Sequence, residues 1–139
     1  MKQVEVAAGI IEYNGKILCA QREKGKHSYL DYKWEFPGGK LEAGETQQQA
    51  LARELNEELE MEVDIQKFFG DVVYTYPDFT LTMHLYLCKA HSDKINMNVH
   101  HDIKWLDKSQ LCTLDWAAAD VEAVKAYAAS NNKSCGLQK

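Results

Sequence analysis

The sequence predicts an α/β fold: a mixed β-sheet sandwiched with one central and one C-terminal helix. Three observations carry that expectation. β-branched and aromatic runs recur through the first ninety residues, leucines repeat every four residues between positions 51 and 59, and an alanine-rich stretch follows Trp116. At 139 residues, with 45% hydrophobic and 27% charged content, the chain fits one domain large enough to bury its own core. Residues 1–130 are read as that domain and 131–139, "NNKSCGLQK", as a flexible tail.

"VEVAAGIIEYNGKILCAQRE" is two apolar runs joined through Asn14-Gly15, a hairpin signal. The polar stretch 24–33 reads as a loop, and "WEFPGG" as a strand stopped by Pro37. Thr46 and Gln49 match a capping box, so a helix starts there, with Leu51, Leu55 and Leu59 as its buried stripe. "VDIQKFFGDVVYTYP" and "FTLTMHLYLCKA" read as strands turned at Pro77-Asp78, and "DIKWLD" as another. "WAAADVEAVKAYAAS" closes the domain as a helix.

The net charge of −5 argues against nucleic-acid polymers and anionic membranes as partners, though not against a small phosphorylated ligand whose charge is met by cations. Cys19, Cys88, Cys112 and Cys135 form no zinc pattern; reduced thiols are expected, the first three as packing residues. No signal-peptide core or membrane-length apolar run is present, so the cytoplasm is the expected compartment. The five histidines are scattered and read as surface or turn residues.

Glu54, Glu57 and Glu58 would occupy one sector of the central helix, with Cβ atoms roughly 5–6 Å apart. Like charges at this spacing repel. Either they form a solvated acidic face, or a cation sits against them. All-oxygen ligation suits Mg²⁺, with Mn²⁺ as substitute, and such ions bridge acids to phosphates.

The surrounding spacing narrows the choice. Gly39, Glu45, Arg53, Glu54, Leu55, Glu57, Glu58 and Met61 fall in the register of the Nudix box, so the chain resembles the Nudix hydrolases. "WEFPGGK", the N-terminal hairpin, "YPD" and "WAAAD" are similar to the MutT-like branch over most of the chain. The resemblance implies a Nudix-fold α/β/α sandwich with a mixed central sheet, the Nudix loop-helix-loop and a C-terminal helix. It also implies Mg²⁺-dependent cleavage of a nucleoside triphosphate to a monophosphate and pyrophosphate. The substrate would be a modified nucleotide such as 8-oxo-dGTP, or CTP or a 5-substituted relative; a non-catalytic nucleotide-binding module is the rival class.

By the same resemblance, Glu57, Glu58, Glu54 and the Gly38 carbonyl would bind metal, with Glu54 a candidate base. Arg53 and Glu45 would pair to orient the helix, unless Arg53 pairs with Glu57 instead. Arg22, Phe36, Lys40 and Asp120 are candidate substrate-binding residues. Their plain alternatives are solvent for Lys40, core for Phe36 and a helix N-terminal acid for Asp120. Two positions depart from the pattern. Glu60 replaces the motif glycine, which predicts positive φ at a glutamate. Val99 stands where relatives often place another metal-binding glutamate, with His101 or Asp102 as possible substitutes. A monomer or homodimer is expected.

Overall fold

The computed structural model describes residues 1–130; the expected tail at 131–139 lies outside them. Seven strands and two α-helices follow in the order β1 (Lys2–Tyr13), β2 (Lys16–Gln21), β3 (Trp34–Glu35), β4 (Gly38–Lys40), α1 (Gln47–Leu59), β5 (Val63–Thr75), β6 (Phe79–Ala90), β7 (Asp102–Asp107) and α2 (Ala118–Ala129). The strands form one mixed sheet with the order β3-β2-β1-β6-β5; β4 also pairs with β1, and β7 with β2.

β1 explains why "VAAGII" is apolar without alternation: both of its faces are covered. Ala7 and Ile11 pack with Leu51, Leu55 and Leu59 of α1 and Leu18 of β2. Ala8 and Ile10 pack with Ala119, Ala123 and Val124 of α2 and with Met83 and Leu85 of β6. The helices therefore lie on opposite faces, and the α/β/α sandwich is the observed architecture. Each leucine of the α1 stripe is fully buried, which contributes about 1.5–3 kcal/mol.

The N-terminal hairpin differs from the simple expectation. β1 and β2 pair only beside the turn, at Glu12–Ile17 and Tyr13–Lys16. Beyond that β1 runs parallel to β6 from Lys2–Phe79 to Glu12–Lys89, while β2 pairs with β3 and β7. The turn fixes its own register, but the sheet's burial decides the neighbours further out. "WEFPGG" likewise splits at Phe36-Pro37 into β3 and β4, because proline cannot donate to a ladder.

Helix α1 starts in the expected capping box, with Thr46 Oγ1 accepting from Gln49 N at 3.1 Å and Gln49 Oε1 accepting from Thr46 N at 2.9 Å. It ends at Glu60, whose φ of 51° and ψ of 44° are left-handed, as the missing glycine predicts. Helix α2 has no side-chain cap; instead the Tyr76 hydroxyl accepts from Ala119 N at 3.0 Å.

Cys19 and Cys88 are buried thiols, each pushed up to about 12 by burial, and act as packing residues; Cys112 is half-buried. The histidine expectation is corrected at two positions. His84 and His100 are both 7% exposed, each held by carboxylates that reach it from distant parts of the chain. Among the described residues no helix is long and apolar enough to cross a membrane.

Candidate active site

A cavity of about 510 Å³ opens where β4, α1, the β5–β6 turn and the start of α2 meet. One end is polar, lined by Gly38, Gly39, Glu54 and Glu58; the other holds Phe36, Tyr76, Phe79 and Asp120, with Arg22 and Glu35 also in the lining.

The polar end depends on two glycines. A Cβ on Gly38 would stand 2.0 Å from the Ala7 carbonyl oxygen, so only glycine lets β4 lie against β1 there. A Cβ on Gly39 would meet the Glu54 carboxyl carbon at 2.3 Å. The absent side chain is the space that Glu54 occupies.

Arg53 organises the approach to this end. Its Nε and Nη2 donate to the two oxygens of Glu45 at 2.7 and 3.0 Å, and Nη2 also donates to the Lys40 carbonyl at 3.0 Å. Its Nη1 donates to Glu57 at 3.0 Å and to Glu54 at 3.2 Å. The two pairings weighed from the sequence therefore coexist. The forked bond to Arg53 holds Glu45 below the usual carboxylate range, and the same bond raises Arg53.

The three box glutamates are not equivalent. Glu54 and Glu58 line the cavity with side chains 16% and 20% exposed, whereas Glu57 is 57% exposed and turned to Arg53. Burial, then Glu35 and Glu54, push the Glu58 carboxyl up to about 9. Its Oε1 is buried with no hydrogen-bond partner. Among the described residues no three His, Cys, Asp or Glu side chains are arranged to hold a metal by themselves. The donor set nevertheless suits a hard cation that takes few carboxylates and keeps waters and phosphate oxygens, which is the habit of Mg²⁺. An unpartnered carboxylate oxygen among other acids is the feature a cation would resolve.

At the far end Asp120 is 5% exposed, and its Oδ2 accepts from Phe36 N at 2.9 Å. Burial, then the nearby Glu35 charge, raise it well above the ordinary carboxylate value. Phe36 is 3% exposed and packs on Trp116 at 4.9 Å between centroids, so it is both core and cavity wall. Lys40 is an exposed cavity residue whose carbonyl serves Arg53.

Sequence reasoning missed three residues. Glu35 accepts from Arg22 Nη1 at 3.0 Å and from His100 Nε2 at 2.9 Å. His100 Nε2 lies 4.0 Å from Glu58 Oε1, which places a buried histidine beside this end. Tyr76 stacks between Tyr29 and Phe79. Alternation in "WEF" carried a signal for Glu35: with Trp34 and Phe36 in one cluster, the residue between faces the other side. For His100 the adjacent pair His100-His101 gave no hint of which ring is buried.

Comparison with known proteins follows the same lines. The profile of the NUDIX domain matches residues 6–126. CTP pyrophosphohydrolase of Escherichia coli K12 is 33% identical over 93% of this chain and 94% of its own length. An 8-oxo-dGTP diphosphatase of Proteus vulgaris is 39% identical over 62% of this chain and 76% of its own. The crystal structure of the MutT protein from Methanosarcina mazei Go1 superposes with a TM-score of 0.83, at 18% identity, over 95% of this chain and 97% of that one.

Proposed function

The chain belongs to the Nudix hydrolase family and is a nucleoside triphosphate pyrophosphohydrolase, and from that premise we propose that it clears nucleotides carrying a modified base, 8-oxo-dGTP being the first candidate, with Mg²⁺ as cofactor. The observation that carries this reading is the single cavity joining a carboxylate-lined end to a buried, raised Asp120. In the reaction a water oxygen bonds to phosphorus, a bridging P–O bond breaks, and a nucleoside monophosphate and pyrophosphate leave.

Glu58, Glu54 and the Gly38 carbonyl would hold Mg²⁺, with Glu57 joining them if it leaves Arg53. Bound there, the ion neutralises phosphate charge and lowers the pKa of a ligating water. Glu54, wedged over Gly39 and steadied by Arg53, is the group we assign to accept the water proton. Arg22 and Lys40 meet substrate oxygens, and Phe36 forms a wall of the base end. Asp120, kept neutral, presents one donor and one acceptor side by side. The Hoogsteen edge of 8-oxoguanine offers the complement, an N–H beside a carbonyl, whereas unmodified guanine offers two acceptors.

CTP is a second reading, favoured by the Escherichia coli relative's 33% identity over nearly its whole length. Cytosine N4 and N3 also present a donor beside an acceptor, so a neutral Asp120 fits this edge too. A panel of ribo- and deoxynucleotides, including 8-oxo-dGTP, dGTP, CTP and 5-methyl-dCTP, should be assayed for pyrophosphate release with and without Mg²⁺. Preference for 8-oxo-dGTP over dGTP supports the first reading, and preference for cytosine nucleotides supports the second. Nucleotide binding without any Mg²⁺-dependent release would make the protein a sensor. Glu58→Gln should abolish release while leaving the metal-free melting temperature at pH 7 unchanged or higher, because an amide removes the cost of burying an acid beside Glu35 and Glu54.

A further inference from the structure

Arg22 reaches the cavity with a side chain 39% exposed, on a chain segment that has just left β2. A guanidinium there needs a fixed pose to act on substrate, since its long stem has many rotamers to lose. Glu35 supplies one restraint, accepting from Arg22 Nη1 at Oε1 over 3.0 Å. The Glu35 carboxylate is itself held from behind. His100 Nε2 donates to the other oxygen, Oε2, over 2.9 Å, and the imidazole is only 3% exposed.

The backbone brings these three together at the ends of separate strands: Arg22 just after β2, Glu35 in β3 and His100 just before β7. Glu35 follows Trp34 in β3, and β3 pairs with β2 through Ala20–Glu35. Arg22 N donates to the Lys33 carbonyl at 2.9 Å, and His101 N donates to the Gln21 carbonyl at 2.8 Å. His100 and Arg22 thus flank the same end of β2, with Glu35 bridging them. Within this trio two atoms are buried without a partner: Arg22 Nε and His100 Nδ1. The relay is therefore not saturated by the protein: Arg22 keeps a donor, Nε, that no protein group meets.

We propose that His100 is a positioning residue for substrate binding, acting through Glu35 to orient Arg22. It touches no reacting atom. This rests on the reading of Arg22 as a substrate-binding residue, and the experiment separates the two.

Binding of 8-oxo-dGMP and of CMP is measured calorimetrically without metal in wild type, His100→Ala, Arg22→Ala and the double variant. Whichever monophosphate the wild type binds more tightly is used for the cycle. Arg22→Ala and His100→Ala should each weaken binding, His100→Ala by roughly tenfold, the loss expected of a charge-assisted bond. In the Arg22→Ala background His100→Ala should have no further effect, because the histidine acts only through the arginine. In steady state, KM should rise with kcat and the half-saturating Mg²⁺ concentration nearly unchanged.

His100→Gln can place an amide donor near Nε2 and should restore binding. Added imidazole should partly rescue His100→Ala. Additive losses in the double variant, or a fall in kcat with KM unchanged, would overturn the positioning role. If His100→Ala does not fold, His100→Gln and His100→Leu replace it, and equal binding by these two overturns the proposal. If Arg22→Ala binds like wild type, the assignment of Arg22 fails first; if only His100→Ala binds like wild type, the relay fails alone.

Discussion

Asp120 shows how one residue serves stability and specificity in opposite senses. In the unfolded chain it ionises near pH 4, whereas burial in the fold keeps it protonated to well above that value. Folding stability is therefore undiminished below about pH 4 and falls as pH rises toward the folded-state value. Asp120→Asn keeps an acceptor for Phe36 N and removes the penalty. It should melt higher than wild type at pH 7, with the difference vanishing near pH 4 in a scanning-calorimetry series. Asp120→Ala should instead raise KM or broaden base choice on the nucleotide panel, with Mg²⁺ dependence retained. An unchanged base preference in both variants would reduce Asp120 to a helix-end acid. The identity of this residue was legible in the sequence, but its protonation was not. Protonation depends on enclosure and on Glu35, whose contacts arise only after β2, β3 and β7 assemble.

The α1 helix was the most legible element, because its signals are local. The capping box, the leucine stripe and the left-handed end each involve residues a few positions apart. The end also yields a test. A left-handed non-glycine residue costs about 1 kcal/mol, which Glu60→Gly should recover. The variant loses only the exposed hydrogen bond from Asn98 Nδ2 to Glu60 Oε2 at 3.0 Å. Urea denaturation should show it neutral to about 1 kcal/mol more stable; clear destabilisation would mean the Asn98 contact anchors the 91–101 loop. The hairpin expectation succeeded at Asn14-Gly15 and failed beyond it for a related reason. Turn chemistry is written in two residues, whereas the partners of β1 and β2 are chosen by burial against distant segments. Helical spacing put Glu57 in one sector with Glu54 and Glu58, but it could not show that the pairing with Arg53 leaves the Glu57 side chain 57% exposed.

At the scale of the molecule, three strands are cross-linked by His84. The imidazole bridges Asp71 of β5 at 2.6 Å and Glu5 of β1 at 2.5 Å from its place on β6. Burial disfavours its charged form, but the hydrogen bonds to Glu5 and Asp71 outweigh that effect and raise its pKa above 6.5. The resulting stabilisation is complete below the unfolded-state value of about 6.5 and is lost as pH rises through the folded-state value. His84→Gln should therefore melt lower than wild type at pH 6, by about 4 °C if the charged bridge is worth ~1 kcal/mol, with the gap closing in alkaline buffer. A gap independent of pH would point to packing alone. The same three-strand core has a consequence for how the protein is made. Because β1 pairs in parallel with β6, from Lys2–Phe79 to Glu12–Lys89, the first strand of this domain to leave the ribosome waits for the sixth. Until residue 90 has emerged, the apolar run of β1 has no central partner and the floor of the cavity does not exist. The growing chain must therefore carry an exposed sticky segment until β6 is made, and chaperone demand should peak just before β6 appears.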